Sequence, residues 1–352
     1  DFDTLLRLAF MAGEGAEGDA ATFLRHLVHR NKLNKTLEFL KKYQSNLHQG
    51  RIYPTFNLTG TATTRMSSES PNAQNVGKGG AASGIDDPEL QAFLEEVSKD
   101  NTSLRSIFGP RKGRVWYSLD YAQLQLRIFA FVSGEKDLIK AFDEGWDAHD
   151  YIAHRIFRLK DGQKPDKLQR RIGKNVNFGF IFGASPAKIE ATAGRPGLYD
   201  EVTSMFPNAH KFMEATKRQV RKHKFVIAPG GYKLMCDQPH KGVNYVVQSA
   251  EGVIVKRAMV ECRRYLLKNC PQGYMTLQVH DELVFDMPDA DHSVMLRRAD
   301  YYDKWGHYRF GQWEHLKSIA DIMAAAGDYY GMRTPVEAEI VQTSWDKGIK
   351  VK

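Results

Sequence analysis

Three carboxylates and one basic–aromatic run carry the chemistry this sequence offers. Asp120 closes an apolar segment, VWYSLDY, that reads as a strand over Val115–Tyr121. Asp281 and Glu282 sit at the corner of a hairpin pattern, Tyr274–Val279 followed by Leu283–Asp286. Carboxylates at strand ends resist burial unless they are paired or metal-bound. Two aspartates brought together from distant segments would repel, raising a pKa, unless a divalent cation neutralises them. Mg2+ takes one or two protein carboxylates plus substrate phosphates, and two such ions about 3.5–4 Å apart serve in-line phosphoryl transfer. A turn aspartate capping a hairpin is the ordinary alternative.

The run RRIGKNVNFGFIF, Arg170–Phe182, repeats Arg170, Lys174, Phe178 and Phe182 at four-residue intervals. At about 3.6 residues per turn these share one helical face, two cations followed by two rings. A nucleoside triphosphate has that polarity. Arg offers a fork and Lys a point charge to phosphate oxygens, and rings offer a stacking platform. An amphipathic helix with a snorkelling basic end is the alternative. Gly179 and Gly183 suit close approach or bending. Asn244 and Gln248 are also four apart, and amides at that spacing can read base edges or sugar oxygens in a minor groove.

These groups need rigid elements to hold them. A helix is expected over Thr22–Leu47, with Leu24, Leu27, Leu33, Leu37 and Leu40 apolar among His29, Arg30, Lys32, Lys35, Lys41 and Lys42. Its basic side reads as a solvated face or a phosphate-facing surface. A small-residue loop, Gly13–Ala21, precedes it. The Thr-, Ser- and Asn-rich stretch Arg51–Gln74 cannot be a core helix; it reads as strands and loops, followed by a glycine-rich loop over 77–84. Helices are expected over Gln123–Val132 and on to Ile189, then a break at Gly194–Pro196 and Pro207. Two further helices, His210–His223 and Lys241–Lys268, flank a turn at Pro229–Gly231. The region His292–Tyr330 reads as aromatic and helical, and Val336–Val341 as a closing strand.

The 352 residues suffice for two or three packed units, and 42% hydrophobic with 26% charged residues excludes disorder, collagen and coiled coil. An excess of +8 favours a polyanionic partner. Three cysteines without a Cys-x-x-Cys pair argue against a zinc knuckle or a disulfide framework and fit a reducing compartment. The longest apolar run, Phe178–Ala184, is too short to cross a bilayer. No signal peptide and no internal repeat are visible. The chain opens on Asp1, so a fragment or processed product is expected.

Taken together, the segments resemble the polymerase domain of family A DNA polymerases, the DNA polymerase I type. DYAQLQLR, Asp120–Arg127, resembles that family's first palm motif, usually written DYSQIELR. RRIGKNVNFGFIFG resembles its fingers motif, VHDELVF (Val279–Phe285) its third motif, and TGTATTRMSSESPNAQN (Thr59–Asn75) its TGRLSS…PNLQN segment. HRNKLNKTL, His29–Leu37, resembles the end of the thumb, and VEAEIVQTSWDKG the last strand and Trp. The matches run in family order.

The resemblance implies an α+β right-hand fold: a palm with an antiparallel sheet, helical fingers and a partial helical thumb. It implies a thumb remnant over 1–48, palm over 49–133, fingers over 134–240 and palm again over 241–352, with a helical insertion at about 292–330. It implies a catalytic set of Asp120, Asp281, Glu282 and Lys174. Two Mg2+ ions would be held by Asp120, Asp281 and the Tyr121 carbonyl, with Glu282 a secondary carboxylate nearby. Arg170, Lys174 and His149 would hold the incoming phosphates. Phe178 would stack on the new base and sugar, with Phe182, Gln125 and Tyr121 completing the nucleotide site. Arg65, Asn244, Gln248, His280, Asn75 and Arg127 would face primer–template DNA. The activity would be template-directed addition of deoxynucleotides to a primer, in the cytoplasm of a bacterium or a phage-infected host. A single-subunit RNA polymerase and a non-catalytic primer–template module are the rivals.

Departures from the pattern refine this. The family usually has Glu where Gln125 stands and Tyr where Phe182 stands. The pair is coherent, since Phe offers no hydroxyl and an unpaired buried carboxylate is costly; exclusion of ribose is expected to survive in softer form. Phe178, lacking a hydroxyl, implies that dideoxynucleotides are poor substrates. His240 falls where members often carry Arg. The aromatic stretch with Tyr301, Tyr302, Trp305, Tyr308, Phe310 and Trp313 is read as a helical insertion or a partner surface. No Asp-x-Glu exonuclease motif is recognisable and most of the thumb is missing, so proofreading is not expected. A processivity factor or an N-terminal exonuclease domain would lie outside this chain.

Overall fold

The computed structural model describes residues 2–15, 19–76, 90, 93–94, 96, 103–160, 162–289 and 314–351. Its centre is an antiparallel sheet of β3 (Arg114–Tyr121), β6 (Tyr274–Val279), β7 (Glu282–Pro288), β8 (Val336–Val341) and β9 (Ile349–Val351), in the order β6-β7-β3-β8-β9. Val115, Tyr117, Leu119 and Tyr121 point into the main core, while Trp116 packs on the opposite side with Val284, Val341, Trp345, Tyr43 and Ala73. Burial on both faces explains why these strands read as near-continuous apolar runs. Fully buried residues such as Leu119 and Phe285 contribute about 1.5–3 kcal/mol each.

The main core is closed by α10 (Gly242–Asn269) and α11 (Glu314–Ala325). On α10, Val243, Val247, Ala250, Ile254, Ala258, Cys262 and Leu266 form the buried stripe that a helical period predicts. Between β3 and α10 run seven helices: α3 (Leu124–Ser133), α4 (Lys136–Asp143), α5 (Ala148–Ile156), α6 (Lys167–Ile181), α7 (Pro186–Ala193), α8 (Leu198–Met205) and α9 (Pro207–His223). The chain starts with α1 (Phe2–Gly15) and α2 (Asp19–Ser45), and the short strands β1 (Thr55–Asn57) and β2 (Ser67–Glu69) pair antiparallel.

Several expectations need correction. The loop expected over Gly13–Ala21 is shorter at both ends, because α1 runs to Gly15 and α2 begins at Asp19. Leu33 and Leu37, expected on an apolar face of α2, are about half exposed. The break at Pro207 is a helix start, with proline at the first position, where its missing N–H is harmless. The turn at Pro229–Gly231 closes a hairpin of β4 (Phe225–Ile227) and β5 (Lys233–Met235), whose strands were too short to read. Of the His292–Tyr330 region, Glu314–Ala325 is α-helical and Ala326–Tyr330 forms a 3-10 turn; the six aromatics from Tyr301 to Trp313 lie outside the described residues, as does the 77–84 loop. No helix among the described residues is long and apolar enough to cross a membrane.

Candidate active site

Asp120 stands near the end of β3, in register with Glu282 on β7 and Glu337 on β8. Like charges in one cross-strand row repel, and the fold disperses them. Glu282 is buried and accepts hydrogen bonds from Arg105 at 3.1 Å and Trp345 at 2.9 Å, and from Ser118. The Arg105 guanidinium, carried by the 3-10 turn Leu104–Ile107, also lies 3.7 Å over the Trp345 ring. Its oxygens are thus engaged by a buried cation and two neutral donors, which tie the start of β7 to the 3-10 turn.

Asp281 lies at the corner before β7. His280 turns that corner with a left-handed backbone, φ +58°. The Tyr121 N–H donates to the Asp281 carbonyl at 3.4 Å, tying the two aspartate-bearing segments together. Loss of solvation, followed by the charge of Glu251, pushes the Asp281 carboxyl up to about 7. Gln123, three residues past Asp120, is also left-handed, φ +55°. Bulky residues rarely adopt this region, and it clusters at functional sites.

Facing the sheet end is an open cleft of about 280 Å3, lined by Asp120, Tyr121, Ala122, Gln123, Asp147, His149, Arg170, Lys174 and Glu337. Asp120, Tyr121, His149, Arg170 and Lys174 were expected here; Gln123, Asp147 and Glu337 were missed. α6 starts with a capping box, Asp166 with Gln169, which sets the first turn that carries Arg170. The Arg170 fork is taken up by Asp147 at 2.9 Å and Asp150 at 2.8 Å. Asp147 also caps α5 and accepts from the Gln123 amide, whose carbonyl in turn accepts from the Ala148 N–H at 2.9 Å. Asp147 had only its place in WDAH to identify it, and a helix-capping Asp is commonplace.

Gly173 sets how closely α5 and α6 approach. A Cβ there would meet the His149 carbonyl at 2.7 Å and the Ala153 Cβ at 2.9 Å. Gly183 ends α6 with φ +75° against the His240 backbone, as a glycine can. At Gly179 a Cβ would find only ordinary contacts, 3.5 Å or longer, so the close approach expected there belongs to Gly173. The rings of Phe178 and Phe182 stack at 5.7 Å and 16°, and His149 tilts on Phe178 at 5.3 Å. Burial, reinforced by Arg170 and Lys174 and opposed by Asp147, brings His149 down to about 4, so it is neutral at pH 7.

A second group forms where the 58–65 loop lies on α10. Thr63 donates to Gln248 at 3.2 Å, Thr64 Oγ1 lies 3.3 Å from Ser249 Oγ, and Lys256 donates to the Leu58 carbonyl at 2.7 Å. Arg65 pairs with Glu251, a fully buried acid that sequence reasoning missed. Burial raises the Glu251 pKa, and Arg65 and the Gln125 amide oppose that rise. His280 feels both Arg65 and Arg105, and burial lowers its pKa. The Asn244 side-chain oxygen is buried without a hydrogen-bond partner. Two expected DNA contacts fare differently. Arg127 donates to the Ala122 carbonyl at 2.9 Å and lies 4.4 Å over the Phe142 ring, so it braces the turn after β3. Asn75 is exposed in the loop after β2 and is not among the cleft residues.

The family model for DNA polymerase family A matches residues 17–300. The chain belongs to DNA polymerase family A. Among its family A relatives, DNA polymerase I of Chloroflexus aurantiacus is 29% identical over 262 residues, 70% of this chain and 26% of that protein. The thermostable DNA polymerase I of Thermus thermophilus is 30% identical over 285 residues, 75% of this chain and 31% of that protein. The chain thus spans about a quarter to a third of the length of these curated relatives. A solved structure, the POL domain of Pol1 from M. smegmatis in complex with DNA primer-template and dNTP, superposes with a TM-score of 0.74 at 22% identity, covering 99% of this chain and 56% of that one. That likeness establishes the right-hand polymerase fold. Members of family A use divalent metal ions. Among the described residues no group of three or more His, Cys, Asp and Glu side chains is placed to hold a metal ion. The donor set still fits Mg2+, which keeps substrate oxygens and waters as ligands. Burial first, and the charge of Glu251 second, raise the Asp281 carboxyl.

Proposed function

We propose that the chain is the polymerase unit of a template-directed DNA polymerase, adding deoxynucleotides to a primer 3′ end. The supporting observation is the cleft, which carries Asp120 and Tyr121 on one wall and Arg170, Lys174 and His149 on the other. Palm over 49–133 and 241–352, fingers over 134–240 and a thumb remnant over 1–48 are the division this reading adopts.

Asp120, Asp281 and the Tyr121 carbonyl would hold two Mg2+ ions, which when bound would supply activation of the primer 3′ oxygen and charge stabilisation for the pyrophosphate. Arg170 and Lys174 bind the triphosphate, after Arg170 exchanges Asp147 and Asp150 for phosphate oxygens. His149 is neutral and adds a hydrogen bond rather than a charge. Phe178 stacks with the base and sugar, Phe182 backs the Phe178 ring in the nucleotide site, and Gln125 lies under the sugar. Arg65, Asn244, Gln248 and His280 face the primer–template. The site of action is the cytoplasm.

Primer extension on a DNA template with Mg2+ tests this, with dNTPs and rNTPs in parallel and Asp281→Ala as control. Extension with dNTPs that the control abolishes is expected. Extension with rNTPs alone would favour an RNA polymerase. Tight primer–template binding without extension would favour a non-catalytic module.

A further inference from the structure

Glu251 is fully buried in α10, yet it is an acid: Arg65 from the 58–65 loop pairs with its Oε2, Gln125 from α3 lies within its electrostatic reach, and its Oε1 is buried without a hydrogen-bond partner. A carboxylate in such a place survives only if its partners neutralise it. The loop does not need that carboxylate in order to dock. Thr63 on Gln248, Thr64 on Ser249 and Lys256 on the Leu58 carbonyl already fix its backbone. At Gly252 a Cβ would come within 3.1 Å of the Thr64 and Arg65 backbone, so the contact is close without any charge. What Glu251 adds is the aim of the Arg65 guanidinium. It also sets what residue 125 can be. An amide there offers a donor to the open Glu251 Oε1, whereas a carboxylate would face it in a desolvated space already within reach of Asp120 and Asp281.

We propose that Glu251 is a positioning residue: from within α10 it orients Arg65 toward the primer end and holds Gln125 beneath the nucleotide sugar, so that the negative charge at this spot comes from position 251 and not from position 125. This rests on the polymerase reading above. The two positions then form an interchangeable pair, one acid and one amide, and the charge can be moved between them.

The test compares the parent chain with Glu251→Gln, Gln125→Glu and the variant carrying both. Single-nucleotide incorporation with dNTP and rNTP, and urea unfolding, are measured on each. Each single change is expected to lower dNTP kcat/KM by roughly tenfold or more, mainly through KM, and to lower the unfolding midpoint. The double variant is expected to recover to within about threefold of the parent, with its midpoint restored. Losses that multiply in the double variant, or a Glu251→Gln protein indistinguishable from the parent, would overturn the proposal. A parent chain that incorporates nothing would sink the polymerase reading instead, and the pairing would stand or fall on the unfolding midpoints alone.

Discussion

The Asp281 carboxyl, raised from an ordinary 3.8 to about 7, holds its proton more tightly in the folded protein than in the unfolded chain. Its contribution to stability is full below about pH 4 and is lost as pH rises through 7. Asp281→Asn removes that liability. In EDTA at about pH 8 it should melt higher, by about 1–3 kcal/mol, while primer extension disappears; a lower melting point would contradict the assignment. For the same reason the Mg2+ concentration giving half-maximal extension should climb as pH falls below 7, since the cation must expel a proton. Titrations between about pH 6 and 8 measure it. Asp120, Asp281, Arg170 and Lys174 stood out in the sequence through motifs that resemble those of family A polymerases, and the structure brings Asp120, Arg170 and Lys174 to one cleft. Glu251 did not: within QSAEGVIVKR it looks like any surface acid, and only a partner 186 residues away reveals its place. The partners of Glu282 were equally hidden, since adjacency to Asp281 gave no sign of Arg105, Ser118 and Trp345.

How α5 and α6 meet decides whether His149, Arg170 and Lys174 converge on one cleft. Gly173→Ala would drive a methyl group into the His149 carbonyl and Ala153. A loss of about 1–3 kcal/mol is expected, with KM for dNTP raised roughly tenfold. Gly179→Ala, on the same helix, meets only ordinary contacts and should match or exceed the parent in stability. Thermal melts of the two variants side by side check the contrast. At the sheet, Glu282→Ala leaves Arg105 buried without its carboxylate, and a loss of about 3–5 kcal/mol is expected in urea unfolding. The strand and helix order was readable because β3 and β7 stand out as apolar runs and α10 as a long stretch free of proline. Which glycine is the contact point was not, because 173 and 179 differ only in what lies opposite.

Across the molecule, the +8 balance includes exposed cations on α2, among them Arg30, Lys35, Lys41 and Lys42. If the partner is duplex DNA, log affinity should fall linearly with log salt, with a slope of about −0.9 per phosphate neutralised; fluorescence anisotropy over a KCl series measures it. A flat response would argue against a duplex lying on this surface. The order of the strands carries a further consequence, for biosynthesis. β3, which bears Asp120, is made early, but its neighbours β7 and β8 come late; the Ser118–Glu282 bond alone spans 164 residues. A ribosome must finish most of the chain before β3 acquires either flank, and contacts this distant form slowly. Messages cut short ahead of Val336 therefore keep β7 but leave the other edge of β3 unpaired, a row of open backbone groups that invites aggregation and proteolysis, so that the last strands act as the seal on the sheet.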